Sequence, residues 1–162
     1  MDELSNTEAI GRIFLSLLLG ASIGWERERK NKAAGFRTYA LVCEGAALFM
    51  LASVLLGQQQ TSGAVPSTYD PSRIGSTIVQ GIGFLAAGVI FLSGDRVRGL
   101  TTAAAIWVTA AIGLLVGAGF YLVAIVGTAT TLVVLLFLHG VEDRFVAPNE
   151  REDDPEGNGR TG

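Results

Sequence analysis

The sequence holds one cysteine and one histidine in 162 residues, and no CxxC pair. Cys43 therefore has no partner for an internal disulfide, and His139 has no second imidazole for a histidine-based metal site. No Ser-His-Asp, HExxH or P-loop pattern occurs, so catalysis has no support in the residues. Charge is scarce too. Asp, Glu, Lys and Arg make up 17% of the chain, and a net charge of -3 with a pI near 5.1 supplies no basic field for nucleic acid. There is no internal repeat, which leaves an inverted-repeat transporter architecture without support.

What is present is apolar and segregated. Hydrophobic residues are 49% of the chain, glycine occurs 21 times, and mean hydropathy is +0.44, too apolar for an ordinary soluble domain. Residues 99–141 form 43 positions without an acidic or basic side chain, and residues 74–94 another 21. A membrane span needs about 20 predominantly apolar residues. These runs predict an all-α polytopic transmembrane bundle of about five spans: 7–25, 38–56, 74–92, 100–116 and 120–139. The first is the weakest, because its uncharged part covers only 13–25 and it spans only if Arg12 snorkels to an interface. The acidic residues Asp2, Glu3 and Glu8 precede the apolar stretch that begins at Ile10, so 10 onward is expected to be a span and not a cleaved leader. One helix of 43 residues would be about 65 Å long, twice the hydrocarbon thickness, so the run must fold back at Gly117-Ala118-Gly119.

Lys and Arg counts set the expected orientation. Arg27, Arg29, Lys30, Lys32 and Arg37 lie between the first two spans, and Arg96 and Arg98 between the third and fourth. Both segments should face the cytoplasm, with the N-terminus outside and the C-terminus inside. Trp25 and Tyr39 then sit at the inner interface and Tyr121 at the outer one. Asp70 and Pro71 are placed to start the third helix. Residues 1–141 form the transmembrane domain, and the acidic tail of 142–162, rich in Gly and Pro from Pro148 on, should be disordered and cytoplasmic.

Small residues recur at helix-packing spacing: Gly20 with Gly24, Gly113 with Gly117, and Gly83 with Ala87, beside Gly81 and Gly88. Such pairs let backbones approach closely, within the chain or between copies in a homo-oligomer. The string Gly81-Ile82-Gly83-Phe84-Leu85-Ala86 imitates a dinucleotide fingerprint, but it lies inside an uncharged span instead of after a strand.

Glu44 is the most telling polar residue. It lies about 9 Å into the second span, where a carboxylate is costly unless protonated, paired or hydrated. Either it has a function or it pairs with Arg37, Arg96 or Arg98. Glu26, Arg27, Asp95, Thr101 and Thr102 are expected at the same level, a group able to hold a proton, an anion or a hydrated cation such as Mg²⁺. Gln80 is expected to hydrogen-bond another helix and Trp107 to serve packing.

The stretches LLLGASIGWERERKNKAAGFRTYALVCEGAALF, DPSRIGSTIVQGIGFLAAGVIF and VRGLTTAAAIWVTAAIGLLVGAG resemble, in order, the membrane domain of the MgtC/SapB family. The residues that match its pattern are Glu26, Arg27, Gly35, Arg37, Arg73, Gly81, Gly83, Gly88, Arg98, Gly99, Thr102 and Trp107. Glu44 departs from it, standing where a small or uncharged residue is usual, and Ala86 replaces a common glycine. Longer members carry a soluble ACT-like domain where this sequence has its acidic tail. The resemblance implies a bacterial inner-membrane protein linked to growth under magnesium limitation. It also implies ATP synthase as a membrane partner. Three functions fit these residues: a non-enzymatic membrane regulator or binding protein, a small Mg²⁺ or cation transporter using Glu44, Glu26 and Asp95, and an oligomeric scaffold.

Overall fold

The computed structural model describes residues 4–61, 71–94 and 96–145, with backbone alone at 59–61, 71–72 and 138–145. Five helices carry the fold: α1 (Asn6–Arg29), α2 (Phe36–Thr61), α3 (Pro71–Ala87), α4 (Leu100–Ala118) and α5 (Tyr121–Phe145). A small antiparallel hairpin, β1 (Phe91–Ser93) and β2 (Arg96–Arg98), joins α3 to α4. Among the described residues three helices are long and apolar enough to cross a membrane: α1, α2 over Phe36–Gln58, and α4. In α5 the apolar portion is Tyr121–Phe137. The body up to Leu132 is one compact unit, and residues 133–145 continue α5 in a second. Asp70 and residues 146–162, which include most of the acidic tail, lie outside the described residues.

Local chemistry sets the helix ends. Ser5 caps α1 by accepting from the Glu8 backbone N–H at 3.2 Å. Its C-terminus closes on Asn31, whose left-handed φ of 49° lets Asn31 N–H reach Glu28 O and Lys32 N–H reach Arg27 O. Glu28 then caps the next helix, its Oε2 accepting from Phe36 N–H at 2.7 Å. Gly119 ends α4 with φ 91°, with Gly119 N–H on Val116 O and Phe120 N–H on Leu115 O. The fold-back thus falls at the expected glycines.

Helix α3 stops at Ala87, five residues short of the expected Leu92. Gly88, Val89 and Ile90 close its last turn with bonds to Phe84, Ala86 and Ala87, and the chain then pairs with itself. Gly94, at φ 61°, supplies the positive φ that a two-residue hairpin turn requires. An uncharged run of 21 residues has the length of a span, but nothing in its hydropathy distinguishes a helix end from a strand.

The core is built on α2, which packs against both α1 and α4. Its buried stripe, Tyr39, Ala40, Cys43, Ala46, Ala47 and Leu51, follows helical three-four spacing. Four glycines meet it. A Cβ at Gly20 would lie 2.5 Å from Tyr39 O, and one at Gly24 2.7 Å from Phe36 Cα. From α4, one at Gly113 would strike the Cys43 carbonyl, and one at Gly117 would lie 2.7 Å from Ala47 O. Helix association in lipid rests on such close packing, because tails are as apolar as the side chains they replace. Buried Thr109 and Thr128 satisfy their hydroxyls on Ala105 O and Ala124 O of their own helices.

Candidate functional site

The buried charges of the bundle fall into two clusters, both built on α1. At the end that carries the α1–α2 loop, Glu26 and Arg27 are 8% and 3% exposed. Arg27 donates through Nε to Glu26 Oε2 at 2.5 Å and through Nη2 to Oε1 at 3.0 Å. Lys30 Nζ lies 3.0 Å from the same Oε1, one turn further along α1. Tyr39 of α2 is fully buried alongside, and its hydroxyl donates to Thr102 O of α4 at 3.3 Å. Three helices therefore converge on this point, and Thr102 takes part through its backbone.

Both oxygens of Glu26 are engaged by cations, and the trio of Glu26, Arg27 and Lys30 carries a net charge of +1. Mg²⁺ takes oxygen ligands, including one or two carboxylates. At Glu26 it would have to displace two fixed positive charges, so the residues here do not fit that ion. Among the described residues no group of three or more His, Cys, Asp or Glu side chains is placed to hold a metal.

The rest of the expected cluster is dispersed. Arg37 is exposed on the first turn of α2, and Arg98 is exposed on β2. Glu44 is half-buried on α2, next to the stripe that faces α1 and α4 but not part of it. Among the described residues Glu8 pairs with Arg12, and Glu26 with Arg27 and Lys30, and Glu44 belongs to none of these ion pairs. Asp95 lies outside the described residues. Tyr39 is fully buried within the bundle, whereas Trp25 is 60% exposed. Trp107 also faces outward at 47% exposure instead of packing within the chain, and Gln80 is exposed on α3.

The α3 glycines do not make the within-chain contact that their spacing allowed. A Cβ at Gly81 or Gly83 would meet nothing within 4 Å, and one at Gly88 would meet only carbonyls of its own helix. Gly81 lines a groove between α3 and α2.

At the opposite end of α1 lies a network that sequence reasoning missed. Arg12, 8% exposed, donates through Nη1 to Gly117 O at 2.6 Å, through Nε to Tyr121 Oη at 2.9 Å and through Nη2 to Glu8 Oε1 at 2.6 Å. The Tyr121 hydroxyl donates to the same Glu8 oxygen at 3.0 Å, and the guanidinium lies 5.6 Å from the Tyr121 ring centroid. The signal available in the sequence is that Arg12, near the expected outer N-terminus, and Tyr121, at the expected outer interface, fall at the same level. Their meeting there joins α1 to the α4–α5 turn.

The sequence model of the MgtC family matches residues 13–144. The putative magnesium transporter YhiD of Escherichia coli (strain K12) is 42% identical over 142 residues, covering 88% of this chain and 66% of that protein. Protein MgtC of Salmonella typhimurium (strain LT2) is 42% identical over 133 residues, 82% of this chain and 53% of its own length. The uncharacterized protein slr0014 of Synechocystis is 41% identical over 131 residues, 81% and 52% of the two chains. The chain thus spans between about half and two thirds of these curated relatives. No solved structure matches it.

Proposed function

The chain belongs to the MgtC family, and from that membership we propose that it acts as a non-enzymatic regulator or binding protein of the bacterial inner membrane, in adaptation to magnesium limitation. The observation that carries this reading is the state of Glu26: both oxygens of its carboxylate are engaged by Arg27 and Lys30 of the same helix end, which leaves it poorly placed to take up a cation. A second membrane protein such as ATP synthase, or a further copy of the chain, is the partner class that suits a helical bundle with apolar faces.

A second reading, a small Mg²⁺ or cation transporter, is favoured by Glu44. Its carboxylate sits half-buried in a candidate span, outside the ion pairs of the described residues. One experiment separates the two: Mg²⁺ flux into liposomes containing only the purified protein, run beside growth of a host lacking its own family member at limiting Mg²⁺. The regulator reading expects no flux above empty liposomes, with Glu44→Gln complementing growth as well as wild type. Flux that Glu44→Gln abolishes would replace it with the transporter.

The same reading keeps the N-terminus outside and the α1–α2 loop in the cytoplasm, from the Lys and Arg asymmetry. In a Cys43→Ser background, Ala33→Cys should resist a membrane-impermeant maleimide in intact cells and react after lysis. Labelling of intact cells would invert the topology.

A further inference from the structure

Helices α2 and α3 enclose a groove of about 750 Å³. Leu41, Gly45 and Phe49 line it from α2, and Ile78, Gly81 and Leu85 from α3. Its one side-chain hydroxyl, Thr77, is turned away, with Oγ1 donating to Arg73 O at 3.0 Å. The groove is therefore apolar, and the missing side chains of Gly45 and Gly81, neither with an atom within 4 Å of a notional Cβ, leave it open.

Its length identifies what it can hold. The lining runs from Leu41 to Phe49 on one helix and from Ile74 to Leu85 on the other, about 12 to 17 Å at about 1.5 Å per residue. One leaflet of a hydrocarbon core is about 15 Å deep, whereas a spanning helix needs about 30 Å. The groove matches the acyl depth of a single leaflet.

The polar end is equally specific. Helix α3 stops just beyond Leu85, and the hairpin is rooted there: Gly99, at φ 89°, sits so close to the Val89 carbonyl that a Cβ would collide with it. Strand register pairs Phe91 with Arg98, Leu92 with Val97 and Ser93 with Arg96. Paired residues share a face and successive ones alternate, so Arg96 and Arg98 lie on one face and Leu92 and Val97 on the other. Both arginines are exposed, as are the two apolar residues.

We propose that this groove and hairpin form a binding site for an anionic phospholipid, with an acyl chain along α2 and α3 and the headgroup phosphate on Arg96 and Arg98. The chain gains little by leaving the bilayer for a groove of equal polarity. Selection therefore rests on the arginines, whose planar forks suit a phosphate.

The test is native mass spectrometry of the full chain in detergent, titrated with phosphatidylglycerol or phosphatidylcholine. Wild type should retain phosphatidylglycerol about 25-fold more tightly, since each of the two basic side chains at a membrane surface favours anionic lipid by about fivefold. Arg96→Gln/Arg98→Gln should reduce that preference to near unity. Arg73→Gln, at the other end of α3, should leave it intact. Gly81→Leu, which fills open space, should weaken retention of both lipids while the protein keeps its thermal stability. Equal retention of the two lipids by wild type would overturn the proposal, as would a preference that survives the double variant or is lost equally in Arg73→Gln. Displacement of the lipid by millimolar inorganic phosphate would identify a free anion as the ligand instead. A lipid-free dimer that Gly81→Leu dissociates would assign the groove to a second copy.

Discussion

Gly113→Leu is expected to abolish folding of the bundle, and Gly113→Ala to cost about 3 kcal/mol, the upper part of the usual overpacking range. A Cβ at this position collides with the Cys43 carbonyl oxygen, falls 2.9 Å from its carbon and 3.0 Å from Ala46 Cβ. Two of these three atoms are backbone, so no rotamer change relieves the clash. Separation of α4 from α2 would also strip contact from Gly117, one turn on, and expose the buried face of α2 that Gly20 and Gly24 meet from the other side. Thermal unfolding in detergent measures the effect, with Gly83→Leu as the comparison. Gly83 has nothing within 4 Å of its notional Cβ, so that variant should unfold with wild type. Equal stability of Gly113→Leu and Gly83→Leu would remove the close approach of α2 and α4 from the account of the fold.

These glycines mark the boundary of what the residues could reveal. Gly20 with Gly24, Gly113 with Gly117 and Gly83 with Ala87 have the same spacing in the sequence, yet only the first two pairs meet a neighbouring helix in the chain. The four-residue interval fixes which residues share a face of a helix, and it carries no information on what lies opposite. The partner stripe on α2 was nonetheless visible, since Ala40, Cys43 and Ala47 are small and spaced by three and four. Read that way, Glu44 falls about 100° around the helix from Cys43 and leaves the packed face, as the structure has it.

Charge pairing was less legible for the same reason. Depth alone groups Glu26 with Glu44, Arg37 and Arg98, because counting residues along each span gives height but not azimuth. Its actual partners, Arg27 and Lys30, lie on its own helix at one and four residues, where pairing needs no tertiary information. Hydropathy found the helices and the fold-back at 117–119. It could not find the hairpin, whose Phe91, Leu92 and Val97 are as apolar as a span and whose turn is announced only by Gly94 and Asp95.

Arg12→Ala should destabilise the protein by about 3 kcal/mol, through loss of one buried and one part-buried hydrogen bond from a charged donor at about 1.5–3 kcal/mol each, partly recovered by relaxation. The guanidinium holds the α4–α5 turn from below: Gly117 O is a carbonyl at the end of α4, and Gly119 lies so near that a Cβ there would sit 3.1 Å from Arg12 Nη2. Without Arg12 the Gly117 carbonyl has lost its charged donor in a buried place, and Tyr121 has lost the donor to its hydroxyl oxygen. Arg12→Lys keeps the charge and loses the fork that reaches three acceptors at once, so its cost should fall between wild type and alanine. Tyr121→Phe removes the relay between Arg12 and Glu8 and should cost about 1 kcal/mol. Glu8→Gln should be the mildest, because that side chain is 47% exposed and water can replace the ion pair. The check is the order of unfolding temperatures in detergent, Glu8→Gln above Arg12→Lys above Arg12→Ala. If Arg12→Ala unfolds no earlier than Glu8→Gln, Arg12 is a snorkelling side chain at the surface of the bundle, and α1 is fixed to the α4–α5 turn by packing alone.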